Sequence, residues 1–477
     1  MANPGIWSRM VRVKPMDMIR SDAADPEHRL KRTLTAVDLT SLGVGAIIGT
    51  GIFVLVGTAV VGDTIRLGSG PAITLSFLLA GLACALAALC YAEFAAMIPV
   101  AGSAYTYSYA TLGEFIAWIT GWNLVLEYGV ASVAVAVGWS GYFNKLLQLA
   151  GIHLPHWATH APGGVDGGLI NLPATIIVLL ITWVLVIGIR ESARVTTLIV
   201  VVKLAIIIFF IAVGGTQVNP ANWTPYMPNG FAGVGAAAAV VFFAYIGFDA
   251  VSTAAEEAKN PQRDMPIGII ASLIICTILY LLVSGILTGM IPWKEIDIYA
   301  PIATALEMMG FKWGAALIAI GAVAGITSVL IVMLMGQVRI FFAMSRDGLL
   351  GSWLSSVHPK YRTPHRATLL TGIVVAILAG FVDLGAAADM TNIGTLFAFM
   401  LVCVAVVILR HTRPAEIRPF RTPFMPVLPI AGALACLGLM AFLPWATWVR
   451  FVVWTAIGVA LYFGYSMRRS RLNQLPR

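Results

Sequence analysis

One lysine stands alone in the apolar run Leu198-Ile199-Val200-Val201-Val202-Lys203-Leu204-Ala205-Ile206-Ile207-Ile208. It lies nine residues into the longer apolar run 194–214, or roughly 13 Å if that run is helical, at 1.5 Å per residue. An ammonium at such depth is costly to insert and reads as functional unless it is a fixed ion-pair partner or a helix-end clamp. Burial favours its neutral amine and carbonyl neighbours favour its ammonium, so Lys203 is a candidate proton carrier. A second feature is Gly45-Ala46-Ile47-Ile48-Gly49-Thr50-Gly51, with three glycines in seven residues of another apolar run. Each weakens a helix by roughly 1 kcal/mol, so a break is expected. Backbone freed inside a membrane must line a cavity or meet a ligand. The amides of Gly49, Thr50 and Gly51 would open the outer half-helix, where the dipole favours a carboxylate. Gly45 and Gly49 also fit the small-residue spacing by which helices pack closely. A third feature, Ala244-Tyr245-Ile246-Gly247-Phe248-Asp249, offers the opposite polarity. Carbonyls near Phe243 and Ala244 would end a half-helix and suit an ammonium. Asp249 then either caps the next half-helix or touches a ligand.

Glu127 is about 20 Å beyond Glu114 along the same run. It would pair with a cationic substrate, take part in proton transfer, or bond a neighbouring backbone. Met333, five residues past Ser328, would bound a side-chain pocket or simply pack. His153, His156 and His160 fall among prolines and glycines, which argues against a metal site. The Gly-x-Gly of the first break follows no strand, so it is not a dinucleotide fold, and no phosphate-binding Lys-Ser/Thr motif follows a glycine loop. No cofactor is expected.

These residues must be held by membrane-spanning helices. The chain has 477 residues, of which 59% are apolar and 11% charged. Soluble domains carry roughly 25% charged residues, so a soluble enzyme of this length is excluded. Apolar runs of about 20 residues recur at 36–60, 71–98, 114–149, 171–190, 194–214, 231–256, 266–291, 313–345, 366–383, 391–410, 426–443 and 447–466. The third and eighth are long enough to demand strong tilt. The formal charge of +8 belongs to loops rather than to nucleic acid: 24 of the 30 Lys and Arg fall in segments on one side of twelve spans, Lys203 apart. That side is cytoplasmic, which would put the polar tail 1–35 and the tail 467–477 inside. Neither a cleaved leader nor disulfides are expected, the five cysteines lying in apolar runs.

The two breaks are five spans apart, as are the two long runs, so 36–215 and 231–411 read as inverted repeats with 426–466 outside them. No rings of like charge mark a channel. All seven histidines avoid the run interiors, which speaks against an intramembrane enzyme.

At this point the motifs become specific. Gly43-Val44-Gly45-Ala46-Ile47-Ile48-Gly49-Thr50-Gly51-Ile52-Phe53 resembles the first helix of the amino acid–polyamine–organocation superfamily. Phe242-Phe243-Ala244-Tyr245-Ile246-Gly247-Phe248-Asp249 resembles its sixth, and Glu256-Glu257-Ala258-Lys259-Asn260-Pro261-Gln262-Arg263-Asp264-Met265-Pro266 the loop that follows. Gly102-Ser103-Ala104-Tyr105-Thr106-Tyr107-Ser108-Tyr109 and Arg339-Ile340-Phe341-Phe342-Ala343-Met344-Ser345-Arg346-Asp347-Gly348-Leu349 resemble the bacterial branch of the cationic amino acid transporters. The resemblance implies an all-α LeuT-like fold of 5+5 inverted repeats, twelve helices with the first and sixth broken. It implies amino acid transport in the cell inner membrane by a lipid-embedded monomer. The substrate carboxylate would meet the amides of Gly49, Thr50 and Gly51, and its amino group the carbonyls of Ile47, Phe243, Ala244 and Ile246. Lys203 matches the lysine that replaces a bound cation in proton-coupled relatives. Its ammonium would lie between the carbonyls of Gly43 to Gly45 and the hydroxyls of Thr327 and Ser328. Proton symport is the expected activity, with exchange of cationic amino acids or polyamines as the alternative.

Overall fold

The computed structural model describes residues 6–15, 18–19, 32–98, 100, 103–162, 167–188 and 193–474, with backbone alone for 193–196 and 474. The expected tails therefore fall partly outside the described residues, and so does Gly102.

Among the described residues the chain is helical, with no strand and two isolated bridges. Among the described residues eight helices are long and apolar enough to cross a membrane. They include α3 (Ile73–Met97), α5 (Glu114–Leu149), α7 (Ala193–Gly215), α10 (Pro261–Met290), α12 (Lys312–Arg346), α14 (Leu384–Thr412) and α16 (Trp445–Leu461). The eighth, α8 (Gly230–Val241), continues through a tight turn into α9 (Ala250–Thr253). A ninth crossing is a bent pair, α1 (Ala36–Ile47) and α2 (Gly51–Val61), whose axes differ by 41°. Three shorter apolar helices complete the set, α6 (Leu172–Ile187), α13 (His365–Phe381) and α15 (Val427–Ala441). The long runs are borne out: α5 has 36 residues and α12 has 35, or somewhat over 50 Å each at 1.5 Å per residue. Outward faces carry exposed apolar side chains such as Leu179, Trp183, Ile274 and Ile377, as lipid contact requires. The five cysteines are buried free thiols.

α10 packs against α3 and α1, α12 against α5, and α13 against α6. The last helix docks through indoles. Trp122 Nε1 donates to the Trp454 carbonyl at 2.8 Å and Trp454 Nε1 returns a bond to Trp122 at 3.3 Å, with the rings stacked at 4.4 Å. Buried indoles need such partners.

One end of the bundle is tied by ion pairs. Glu93, at the end of α3, accepts from Arg410 at 3.0 and 2.6 Å and from the Thr422 amide at 2.7 Å. Glu114 is fully buried and accepts from Arg12 at 3.3 Å, Tyr462 at 3.1 Å and Ser470 at 2.6 Å. Lys14 reaches Asp347 at the end of α12 at 2.8 Å, and Tyr105 donates to the same carboxylate at 2.7 Å. Tyr105 lies in α4 (Ser103–Thr111), outside the spanning helices. Burial and the adjacent Asp347 carboxylate hold its phenol well above the usual range.

Candidate functional site

The bend in the first crossing forms where the glycines stand. Helix α1 stops at Ile47, Ile48 turns extended (φ −74°, ψ 104°), and helical geometry resumes with Thr50 as a π-turn over Gly51–Leu55. The first amides of a helix have no acceptor four residues back, and here they belong to Gly49, Thr50 and Gly51. All three residues are buried. The second break follows the same logic. α8 gives way to a 3-10 turn at Phe242–Tyr245, Ile246 is extended (φ −61°, ψ 134°), and Gly247 takes φ 118°, a value that favours glycine.

The two breaks touch. A Cβ on Gly51 would stand 2.2 Å from the Ala244 Cα, and one on Gly247 would stand 2.9 Å from the Ala46 carbonyl. The predicted carboxylate and ammonium ends thus share one locus. Its walls come from the long helices: a Cβ at Gly138 of α5 would lie 2.4 Å from Thr50 Cγ2, and Val329 Cγ2 of α12 lies against Gly49. Met333 is buried one turn beyond Val329, on the same face of α12.

A residue that sequence reading missed links the breaks. The Tyr280 hydroxyl, from α10, lies 3.0 Å from the Ile47 carbonyl oxygen and 2.8 Å from that of Ala244. Two of the four carbonyls expected to meet an amino group are therefore in contact with one phenol, which has a single proton to give. Its only signal in the sequence is a tyrosine in an apolar run.

Lys203 is 1% exposed, and its ammonium donates to the carbonyls of Gly45 at 2.7 Å and Ile48 at 3.1 Å. The expected contact with Gly45 is present. The expected hydroxyl contacts are not: Thr327 donates to Val323 at 2.7 Å and Ser328 to Gly325 at 2.9 Å. Helical serine and threonine satisfy themselves on the preceding turn. What α12 presents instead is Gly325, against the methylene stem of Lys203.

Glu127 occupies a π-turn, Leu126–Val130, inside α5, and is fully buried with no direct hydrogen bond to either carboxyl oxygen. Such single π-turns gather at functional sites. Its polar neighbours are Asp249 and Tyr91. Asp249 does not cap α9 through its side chain; its carboxylate takes the hydroxyl of Tyr128. A cavity of about 310 Å³, lined by Asp38, Glu257 and Arg339, reaches Tyr128. Among the described residues no three His, Cys, Asp or Glu converge as metal ligands. His156 and His160 stack at 4.5 Å.

A bundle of apolar helices with two touching breaks, one presenting amides and the other carbonyls, defines a multi-pass membrane transporter. A family profile described as amino acid permease matches residues 34–467, and the chain belongs to that family. It is 50% identical over 467 residues to the methylthioribose transporter of Bacillus subtilis (strain 168), covering 98% of this chain and all of the relative. It is 53% identical over 455 residues to the branched-chain amino acid permease BcaP of the same organism, covering 95% of this chain and 97% of the relative. The vacuolar cationic amino acid transporter 4 of Arabidopsis thaliana is 40% identical over 412 residues, covering 85% of this chain and 68% of that one.

Proposed function

We propose that the chain imports L-amino acids with apolar side chains together with protons, by alternating access. The observation that carries this reading is the bond pair from Lys203 to the Gly45 and Ile48 carbonyls at the end of α1. A protonated lysine makes charge-assisted bonds there, roughly twice as strong as neutral ones. It clamps α1 beside the substrate amides. A neutral amine holds α1 more weakly and lets it swing away. In this reading the amides of Gly49, Thr50 and Gly51 take the substrate carboxylate, and the carbonyls of Ile47, Phe243, Ala244 and Ile246 take its ammonium. Val329 and Met333 bound the side-chain pocket, and Glu127 with Asp249 assists the proton step.

Apolar cargo is supported by the aliphatic lining and by a relative whose name specifies branched-chain amino acids. Methylthioribose, in the name of another relative, has neither carboxylate nor ammonium to meet the two breaks. Exchange of cationic amino acids remains a second reading, favoured by the names of the Arabidopsis relatives. The proposed topology has twelve spans, α6, α13 and α15 among them. Residues 36–215 and 231–411 form inverted repeats, both tails are cytoplasmic, and one chain is the working unit.

The test is uptake of L-leucine, L-arginine and methylthioribose into proteoliposomes under an imposed pH gradient without sodium. Leucine uptake should rise with an inward proton gradient. Lys203→Ala should lose gradient-driven uptake by tenfold or more while leucine still binds. Sodium-dependent uptake, or full proton drive in the alanine variant, refutes the mechanism. Arginine exchange without proton drive selects the second reading.

A further inference from the structure

The connection from α12 to α13 folds around one imidazole. After the 3-10 turn Ser352–Ser355, His358 Nδ1 accepts the amides of Lys360 and Tyr361, each at 3.1 Å. Backbone bonds close the loop about the same residue. The His358 amide donates to the Thr363 carbonyl at 2.8 Å, and the His358 carbonyl accepts from the Arg362 amide at 2.9 Å. Arg362 takes φ 59°, a left-handed conformation that is costly for any residue but glycine. Thr363 Oγ1 then donates to the Val186 carbonyl at 2.7 Å, one of the last carbonyls of α6, which have no partner in their own helix. The loop thus caps α6 and holds the start of α13 beside the end of α12.

A side chain that accepts amides from the next few residues of its own loop fills a role usually given to Asn or Asp. The imidazole differs in one respect. Nδ1 accepts only while it carries no proton, so these two bonds select the neutral tautomer with its hydrogen on Nε2. In the imidazolium both nitrogens are donors, and the two amides lose their acceptor. The surroundings do not favour the added charge. The His365 ring stands edge-on at 5.0 Å and the Tyr361 ring lies at 4.7 Å. Lys360 lies over the Tyr361 ring at 5.4 Å, and Arg362 and Arg366 flank the loop in the chain. Among the described residues no ion pair includes any of these cations. Neither the end of α6 nor the Ser352–Ser355 turn brings a titratable group.

Histidine is the side chain whose charge ordinarily changes between about pH 5 and 8. We propose that His358 makes this loop an acid-sensitive brake on transport. Neutral His358 keeps the loop closed. Its protonation opens the loop, uncaps α6 and frees the end of α12. That helix supplies Val332, Met335, Gly336 and Arg339 to the 310 Å³ cavity and Gly325 to the Lys203 stem, so loosening it slows the cycle. The loop leaves the end of α12 that carries the Lys14–Asp347 pair, and its place inside the cell rests on the proposed orientation. A proton-driven importer delivers protons to that side, and the brake answers to them.

Two measurements on the full chain test it. In nanodiscs, trypsin should cut after Lys360 and Arg362 at least fivefold faster at about pH 6.0 than at about pH 7.5, values within the range in which histidine titrates. Both rates are taken relative to a free peptide of the same sequence. His358→Asn keeps an acceptor for the amides and gains no proton, so its relative cleavage should not change with pH. His358→Leu, without an acceptor, should be cut readily at both values. In right-side-out membrane vesicles, the same drop in internal pH should slow leucine exchange at least threefold more in the wild type than in His358→Asn. That variant retains any pH dependence that Lys203 brings. His365→Gln should keep the wild-type response. Equal cleavage of the wild type and His358→Asn at the acid pH overturns the sensor, whatever the cargo proves to be. Faster cleavage with exchange no slower than in His358→Asn overturns the brake. A response lost in His365→Gln and kept in His358→Asn assigns the titration to His365 and overturns the role of His358. A response to external pH alone overturns its place inside the cell. Absence of leucine exchange at both pH values refutes the transport reading and the brake with it, while the cleavage result still decides the sensor.

Discussion

The phenol oxygen of Tyr280 lies 2.8 Å from the carbonyl oxygen of Ala244, and the same hydroxyl is 3.0 Å from that of Ile47. One proton serves two carbonyls at the ends of two broken helices, so the pair is held at a fixed spacing while each oxygen keeps a lone pair. Tyr280→Phe removes that brace. A typical hydrogen bond contributes about 1 kcal/mol net, which is roughly a fivefold change. Leucine affinity should fall by about that factor, with the melting temperature nearly unchanged. Equal affinity in the phenylalanine variant would show that Tyr280 is only packing.

Gly51 meets Ala244 closely enough that no side chain fits between them. A Cβ at Gly51 would lie 2.2 Å from backbone, which cannot yield as a flexible side chain would. Gly51→Ala should therefore weaken binding by tenfold or more, and Gly51→Leu should abolish central-site binding. The protein should remain folded, as size-exclusion behaviour in detergent will show. Retained central-site affinity in Gly51→Leu would refute the locus.

Glu127 stands beside Asp249 and Tyr91, and in the proposed reading it assists the proton step rather than reading substrate side chains. Glu127→Gln should lower proton-driven leucine accumulation at least fivefold and change its pH profile. The ratio of leucine to arginine affinity should stay within twofold of the wild type. A selective loss of arginine binding would return Glu127 to the role of cation reader.

How far these features could be read without coordinates follows from contrast. Lys203 was legible because a cation among aliphatic residues is costly to insert and stands out from its run. The two breaks were legible because glycine clusters interrupt otherwise continuous runs, and Ile48 and Ile246 do turn extended beside them. Tyr280 was not, since an aromatic residue in an apolar run is commonplace. The π-turn around Glu127 has no local signature, as its residues are compatible with ordinary helix. Asp249 looked like a cap from its place before a short helix. Its carboxylate instead meets Tyr128, which is 121 residues away in the chain. The hydroxyls of Thr327 and Ser328 looked available to Lys203, but local bonds to their own helix claim them.

The final prediction concerns the end of the bundle where both tails gather. Lys14 Nζ and Asp347 Oδ1 are 2.8 Å apart, with each side chain 7% exposed. Removing one member of a buried pair leaves the other charged and unmatched, at a cost of roughly 3–5 kcal/mol. Lys14→Ala leaves Asp347 with the Tyr105 hydroxyl as its remaining side-chain donor, at 2.7 Å. Its melting temperature in detergent should fall by several degrees. The double variant Lys14→Met with Asp347→Asn removes both charges and should recover at least half of that loss. The same segment tests orientation: a cysteine placed at Arg9 should resist a membrane-impermeant thiol reagent added to intact cells and react once the cells are opened. Melting of the double variant at or below that of Lys14→Ala would show that the charges do not act as a pair. Labelling of the Arg9 cysteine in intact cells would put the tail on the outer side.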